Sequence, residues 1–242
     1  MRRPWLLLVL LYALMCSVIT TWVVLDRRPP EWDHANHLER AVACAHSLRL
    51  VASTGAREII EATSFYPPVV TCAAGLLYLV FPLVPLTAQA VMMASLAVAM
   101  AALYGLGRRL GDAPAGVWGA LLFATAPFVV FSLTNFQLDL PLSAMVALAL
   151  YVLVRSRDFA SVRWSLGLGA VFGLGLLTKP PFAVYVLPPF LWSLCRALRA
   201  PDRGRRLGGV AAALAVTALL ALPWYGPRLF GLPMQILNRS FK

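Results

Sequence analysis

The chain has 242 residues, of which 60% are hydrophobic and only 13% are charged. Soluble domains carry about 25% charged residues, so this composition excludes an ordinary soluble protein and predicts an integral membrane protein. The net charge of +11 does not require a nucleic-acid partner, because arginines beside hydrophobic segments orient a membrane protein by the positive-inside rule.

Seven apolar segments come close to the length of about 20 residues that a membrane-spanning helix needs. The first is 5–25, and no small-residue cleavage site ends it, so we interpret it as an uncleaved span. The other six are 88–107, 116–133, 140–154, 164–178, 182–195 and 207–223. We therefore expect an all-α, polytopic helical bundle that forms one membrane module over 1–242, with an outer loop at 26–86 and an outer tail at 224–242.

The arginines predict how these segments are oriented. With the N-terminus in the cytoplasm, the inner loops hold twelve of the 21 basic residues and only three acids. Segment 67–84 would reverse this pattern if it crossed the membrane, and it is short between its prolines. We expect it to form an interfacial or re-entrant helix of the outer loop, and the alternative is an even number of spans that includes it.

Most titratable side chains lie in the outer loop. All three histidines and six of the ten acidic residues occur between positions 26 and 61. In a helix that starts near Trp32, Asp33 and His37 are four residues apart and His34 and His37 are three apart, so each pair shares a face. A carboxylate there can accept a proton from an acceptor hydroxyl, which is general-base chemistry.

Two further charges lie at the ends of predicted spans. Asp139 begins one span and Lys179 ends another. Charges at such depth are costly unless they are paired or hydrated, so both are candidate functional residues. The structural alternatives are an Asp139 carboxylate that interacts with a helix dipole and a Lys179 side chain that extends to the membrane interface.

Six short motifs occur in an order that resembles the C-type (GT-C) glycosyltransferase superfamily, near its protein O-mannosyltransferase and lipid A aminoarabinose transferase branch. The motifs are Trp32-Asp33-His34-Ala35-Asn36-His37, Tyr66-Pro67-Pro68-Val69, Leu103-Tyr104-Gly105-Leu106-Gly107-Arg108-Arg109-Leu110, Leu138-Asp139-Leu140-Pro141-Leu142, Gly173-Leu174-Gly175-Leu176-Leu177-Thr178-Lys179-Pro180-Pro181 and Leu222-Pro223-Trp224-Tyr225. No single motif is specific, but together they cover nearly the whole chain.

The resemblance implies an inverting glycosyltransferase in a bacterial inner membrane. It would move a sugar from a polyprenyl-phosphate donor to a lipid, glycan or protein acceptor at the periplasmic face. Asp33 would be the general base, Asp139 a second acidic residue of the site, and Lys179 the contact to the donor phosphate. The other expected substrate contacts are His34, His37 and Tyr66.

Two positions differ from the family pattern, since His34 replaces the usual Glu and Pro180 the usual Gly. Relatives also carry further spans, so we expect an N-terminal part of a longer protein, or a short member that needs a partner chain. The alternative functions are a lipid or glycan transporter, a flippase-like subunit, or an inactive scaffold. Transporters place their polar groups near mid-membrane, whereas these groups lie at one face.

No cofactor is predicted. Histidines and carboxylates of the outer loop could bind a divalent metal, but the spacing of the HExxH motif is absent and a phosphate-linked donor does not require a metal to react. Cys44 and Cys72 lie in the same outer loop, so a disulfide between them is an open alternative in an oxidising compartment.

Overall fold

The computed structural model describes residues 4–26, 28–54 and 66–228. In these three ranges the chain forms ten α-helices and no strand, which confirms the all-α fold class. The helices are α1 (Trp5–Leu25), α2 (Trp32–Thr54), α3 (Val69–Leu77), α4 (Pro85–Leu110), α5 (Ala113–Ala124), α6 (Pro127–Thr134), α7 (Asp139–Ser156), α8 (Val162–Leu176), α9 (Phe182–Arg199) and α10 (Arg203–Tyr225), followed by a 3₁₀ turn at Gly226–Arg228.

Among the described helices, α1, α4, α7 and α10 are long and apolar enough to cross a membrane. Helices α5 and α6 form a fifth span if they are counted together. Helix α8 has 15 residues, or about 22 Å at 1.5 Å per residue, and is shorter than a hydrocarbon core of about 30 Å. Helix α9 contains Pro188 and Pro189 and has two arginines in its last turn. The membrane class is confirmed, and the predicted count of seven spans is not.

The predicted span 116–133 is not one continuous helix. Helices α5 and α6 meet at an angle of 55°, with Ala126 in an extended conformation just before Pro127. Proline has no backbone N–H to donate, and it disfavours helical geometry in the residue before it. The break between the two helices therefore follows from local sequence.

The start of α5 is also determined locally. Asp112 caps it, and the Asp112 side chain accepts a hydrogen bond from the Ala115 N–H.

Segment 67–84 contains only one short helix. Helix α3 has nine residues, or about 14 Å of helix, which is less than half of a hydrocarbon core of about 30 Å. By itself it is too short to cross. Its placement at the membrane interface, and the predicted boundaries of the outer loop, remain predictions.

Helices α7 to α10 run alternately up and down between two ends of the bundle. At the first end, which we call the site end, Lys179 pairs with Asp139 and the Tyr225 hydroxyl reaches the Leu176 carbonyl. At the second, which we call the arginine end, Arg196 pairs with Asp158 at 3.0 Å. Small residues let the helices pack closely, since a Cβ at Gly169 of α8 would collide with the backbone of α10.

The turn between α7 and α8 lies at the arginine end and is unusual. Arg157, Asp158 and Phe159 all have positive φ, at 54°, 53° and 65°, a region that L-residues rarely occupy. The Arg206 guanidinium donates to the carbonyls of Arg157 and Asp158, and the Phe159 ring is fully buried. These contacts hold the strained backbone in place.

Candidate active site

Helix α2 carries Asp33, Glu39 and all three histidines of the chain, and it is crosslinked to α3. Cys44 and Cys72 form a disulfide with their Cα atoms 5.4 Å apart. The sequence had left this disulfide open, and the structure contains it. A Cβ at Gly75 would lie 3.0 Å from the Ala41 carbonyl oxygen and from the Ala45 nitrogen. Glycine at residue 75 therefore favours the close approach of α3 to the backbone of α2, because any Cβ there would be tightly crowded.

Two hydrogen bonds connect this pair of helices and α10 to the end of α8. The Val69 N–H donates to the Leu177 carbonyl at 3.1 Å. The Tyr225 hydroxyl donates to the Leu176 carbonyl at 2.9 Å. Both carbonyls lie at the C-terminal end of α8, where a helix has no internal partner for them. The motifs around Tyr66 and Trp224 thus hold the turn that carries Lys179.

Glycine also shapes that turn. A Cβ at Gly175 would lie 2.5 Å from the Phe182 ring, which is fully buried. The Lys179 N–H donates to the Gly175 carbonyl, and the Phe182 N–H donates to the Lys179 carbonyl. The backbone of Lys179 is therefore fixed on both sides, between the last turn of α8 and the first turn of α9.

The Lys179 ammonium and the Asp139 carboxylate form an ion pair across the site end. Nζ lies 2.6 Å from Oδ1, and the two side chains are 24% and 37% exposed. Asp139 is the first residue of α7, so its carboxylate also meets the positive end of that helix. An ammonium has three N–H donors, and one bond to Asp139 leaves two for a ligand.

Helix α2 contributes a second group of side chains. The His37 and Tyr66 rings meet edge to face with centroids 5.1 Å apart, and the Arg40 guanidinium lies over the Tyr66 ring at 5.3 Å. Arg40 also donates to the Asn36 side chain at 2.8 Å. The sequence did not single out Arg40, although its spacing of three from His37 places both on one face of the helix.

Electrostatics link the two groups. Burial, together with the charges of Arg40 and Lys179, lowers the pKa of His37 to about 4, whereas Asp33 and Asp139 oppose the shift. Charges on α2, on α7 and on the α8–α9 turn therefore act on one imidazole. His37 is neutral at pH 7, and its buried Nδ1 has no hydrogen-bond partner among the described residues.

The predicted site residues thus divide into three sets. Asp139, Lys179, His37 and Tyr66 come together at the site end. Asp33 lies one turn before His37 on α2 and is exposed, so it borders this group. His34 is buried and lines a separate groove beside α1 and α6.

Within the described part of the chain, no three His, Cys, Asp or Glu side chains come close enough to hold a metal ion. The expectation of a reaction without a cofactor remains a prediction.

Residues 66–225 match the family model of the dolichyl-phosphate-mannose-protein mannosyltransferases. The chain belongs to this mannosyltransferase family. No curated protein and no solved structure matches it. The chain is therefore a glycosyltransferase-family membrane protein of GT-C type, which confirms the family suggested by its motif order.

The segment that matches the mannosyltransferase family model contains some of the candidate site residues and not others. The matched segment includes Tyr66, Asp139, Lys179 and Tyr225, whereas α1 and α2 precede it. The assignments of Asp33, His34 and His37 therefore depend on where α2 places them and not on the matched segment.

Proposed function

We propose that this protein transfers a sugar from a polyprenyl-phosphate donor to a hydroxyl-bearing acceptor at the site end. The observation that carries the proposal is the Lys179–Asp139 ion pair at 2.6 Å, positioned beside His37 and Tyr66. The pair supplies a fixed cation to which a phosphate can bind. It lies at one end of a helical bundle, and an isoprenoid chain can pack against the apolar helices of that bundle.

The proposed reaction is a single displacement. The acceptor oxygen attacks the anomeric carbon while the bond from that carbon to the phosphate oxygen breaks. The acceptor proton passes to the Asp33 carboxylate, which is general-base catalysis. The polyprenyl phosphate leaves as an anion, and the Lys179 ammonium stabilises the charge that develops on it. Attack from the face opposite the phosphate inverts the anomeric centre.

Each remaining side chain has a distinct part in the proposal. Asp139 holds the Lys179 ammonium in place, and it prevents an unpaired charge when no donor is bound. Neutral His37 offers one donor and one acceptor nitrogen for sugar hydroxyls. Tyr66 and Arg40 form the wall against which the sugar lies.

We also propose that the site end faces the periplasm of a bacterial inner membrane. The support is the charge distribution, since Arg157, Arg196 and Arg206 lie at the opposite end of the bundle. Arginine-rich ends of membrane proteins face the cytoplasm.

The test is sugar transfer in reconstituted membranes that contain a polyprenyl-phosphate sugar. Membranes from source cells that lack the gene for this protein are added to supply the acceptor and any partner chain. Asp33→Asn keeps the size of the side chain and removes its basicity, so transfer should fall by about 10²–10⁴-fold, the range of general-base contributions. Donor binding should not change. Glu39→Gln, an exposed acid on the same helix, is the matched control and should transfer like wild type. Full activity in Asp33→Asn would overturn the proposed role of Asp33.

A further inference from the structure

A groove of about 780 Å³ lies between α1, the start of α2 and α6. Neither Asp139 nor Lys179 lines it. One wall is apolar and includes Val18, Trp22 and Phe131, whose side chains are 57%, 49% and 44% exposed. The size lies within the range of about 300–1,000 Å³ that small-molecule sites occupy.

The other end of the groove is polar and contains an unsatisfied buried atom. His34 lines the groove and is only 8% exposed, and its Nε2 has no hydrogen-bond partner among the described residues. A buried polar atom without a partner is unfavourable, because it has given up its hydrogen bonds to water. Burial lowers the pKa of His34, and Glu31 only partly opposes this shift. The imidazole is therefore neutral and can donate one hydrogen bond and accept another.

The charges at this end indicate which ligand fits. The Arg28 guanidinium is engaged by both oxygens of Asp26, at 2.9 and 2.8 Å. These hydrogen bonds lower the pKa of Asp26 to about 2, so it is a carboxylate at neutral pH. Glu31 brings a second acidic side chain to the lining. The two acidic side chains repel a phosphate, and the single guanidinium is already engaged. The carboxylate oxygens, the neutral imidazole of His34 and the amide of Asn135 can instead form hydrogen bonds with hydroxyl groups.

The polar end lies close to the proposed transfer site in the chain, through helix α2 and through the loop between α6 and α7. His34 is one turn from His37 on α2, and Asn135, which also lines the groove, is four residues before Asp139. Asp33 is the neighbour of His34. A hydroxyl held at this end is therefore near the proposed general base.

We propose that the groove is the acceptor site, and that its ligand is an amphiphile with an apolar chain and an uncharged, hydroxyl-bearing head. This inference rests on the proposed function, because it supplies the hydroxyl that Asp33 deprotonates. The apolar chain lies along the wall formed by α1 and α6, and the head meets His34 and Asn135.

The test measures binding without any donor, so it does not depend on whether transfer occurs. The protein in lipid nanodiscs is exposed to an octyl glucoside that carries a photoreactive diazirine in its chain, and labelled residues are mapped by mass spectrometry. Labels are expected on α1 near Trp22 and on α6 near Phe131, with competition by unlabelled octyl glucoside. His34→Ala should weaken competition by about 2–10-fold, the value of one hydrogen bond.

Three variants keep the result interpretable. Val130→Trp fills the groove from a side chain that is 38% exposed, so it should abolish labelling without disturbing the core. Lys179→Ala should leave labelling unchanged, because Lys179 belongs to the proposed donor site. If Asp33→Asn keeps both full transfer and labelling, the proposed role of Asp33 fails while the groove still binds its amphiphile, so the two failures are distinguishable.

Three outcomes would overturn the proposal. Equal labelling by a photoreactive octane, which has no hydroxyl group, and equal labelling of the His34→Ala variant would show that the groove holds only lipid chains. Stronger competition by an octyl trimethylammonium would show a preference for a cationic head. Competition by a polyprenyl phosphate that is lost in Lys179→Ala would assign the groove to the donor chain.

Discussion

Lys179 and Asp139 are 40 residues apart in the chain and 2.6 Å apart in the structure, where they form an ion pair between the start of α7 and the turn after α8. Each charge alone would be costly at the end of a membrane-spanning helix. The pair offsets part of that cost, and one bond to Asp139 uses only one of the three N–H donors of the ammonium.

Lys179→Ala should weaken binding of a polyprenyl-phosphate analogue. A hydrogen bond to a charged group contributes about 1.5–3 kcal/mol, so we expect a loss of about 10–150-fold in Kd, measured by calorimetry in nanodiscs. Lys179→Arg should recover only part of it, because a planar guanidinium does not fit the site of a compact ammonium. Arg199→Ala, an exposed cation at the arginine end, is the control. Affinity that is indifferent to both Lys179 variants would make the residue a purely structural partner of Asp139.

The Cys44–Cys72 disulfide should stabilise the attachment of α2. It joins residues 28 positions apart, and the chain-entropy relation gives about 3–4 kcal/mol for a loop of this length. A reducing agent should lower the thermal unfolding midpoint of the wild type, and it should not affect the Cys44→Ala/Cys72→Ala double variant. Cys195→Ser removes an exposed free cysteine and should respond to the reductant like wild type. Equal midpoints for reduced and oxidised wild type would show that the crosslink contributes no stability.

Stability should decrease on acidification because of His37. Its pKa falls from 6.5 in the unfolded chain to about 4 in the fold. The unfolded chain therefore takes up a proton between these values and the folded chain does not, so the stability that His37 contributes is complete above about pH 6.5 and is lost as the pH falls to about 4. His37→Gln should flatten this part of the profile of unfolding midpoint against pH. His46→Gln, an exposed histidine on the same helix, should keep the wild-type slope, and a His37→Gln profile as steep as wild type would contradict the assignment.

The two ends of the bundle should label from opposite sides of the membrane. His46 on α2 and Gly204 at the start of α10 are exposed, and a Cβ added at Gly204 would meet nothing within 4 Å among the described residues. In a Cys195→Ser background, a membrane-impermeant maleimide should modify His46→Cys in intact cells. Gly204→Cys should react only after permeabilisation. Labelling of both from the same side would rule out an odd number of spans between the two positions.

Much of the fold follows from local sequence. Helix α1 matches its predicted bounds, and α2 begins at Trp32 as expected. The predicted span 116–133 is bent where proline interrupts an apolar run, because hydropathy alone does not reveal the break that precedes Pro127. The predicted number of seven spans was also not confirmed. One reason is that helix α8 is shorter than the hydrocarbon core of a bilayer.

The sequence named candidate site residues but not the contacts between them. Sequence placed Asp139 and Lys179 at span ends, yet their pairing depends on how α7 packs against α8 and α9, which no local pattern encodes. His34 and His37 are three residues apart, and helical spacing predicted a shared surface. They line different parts of the structure, since His34 shares a groove with residues of α1 and α6, whereas the His37 ring packs against Tyr66.

The separation of Asp139 and Lys179 along the chain also affects how the protein is made. Ribosomes add about 5–20 residues per second, so the 40 residues between the two correspond to a delay of about 2–8 seconds. During that interval the newly inserted α7 has a carboxylate with no lysine to meet. Because Asp139 is the first residue of the helix, water can solvate its carboxylate until α8 and Lys179 have been synthesised. The unpaired carboxylate therefore does not have to enter the hydrocarbon core.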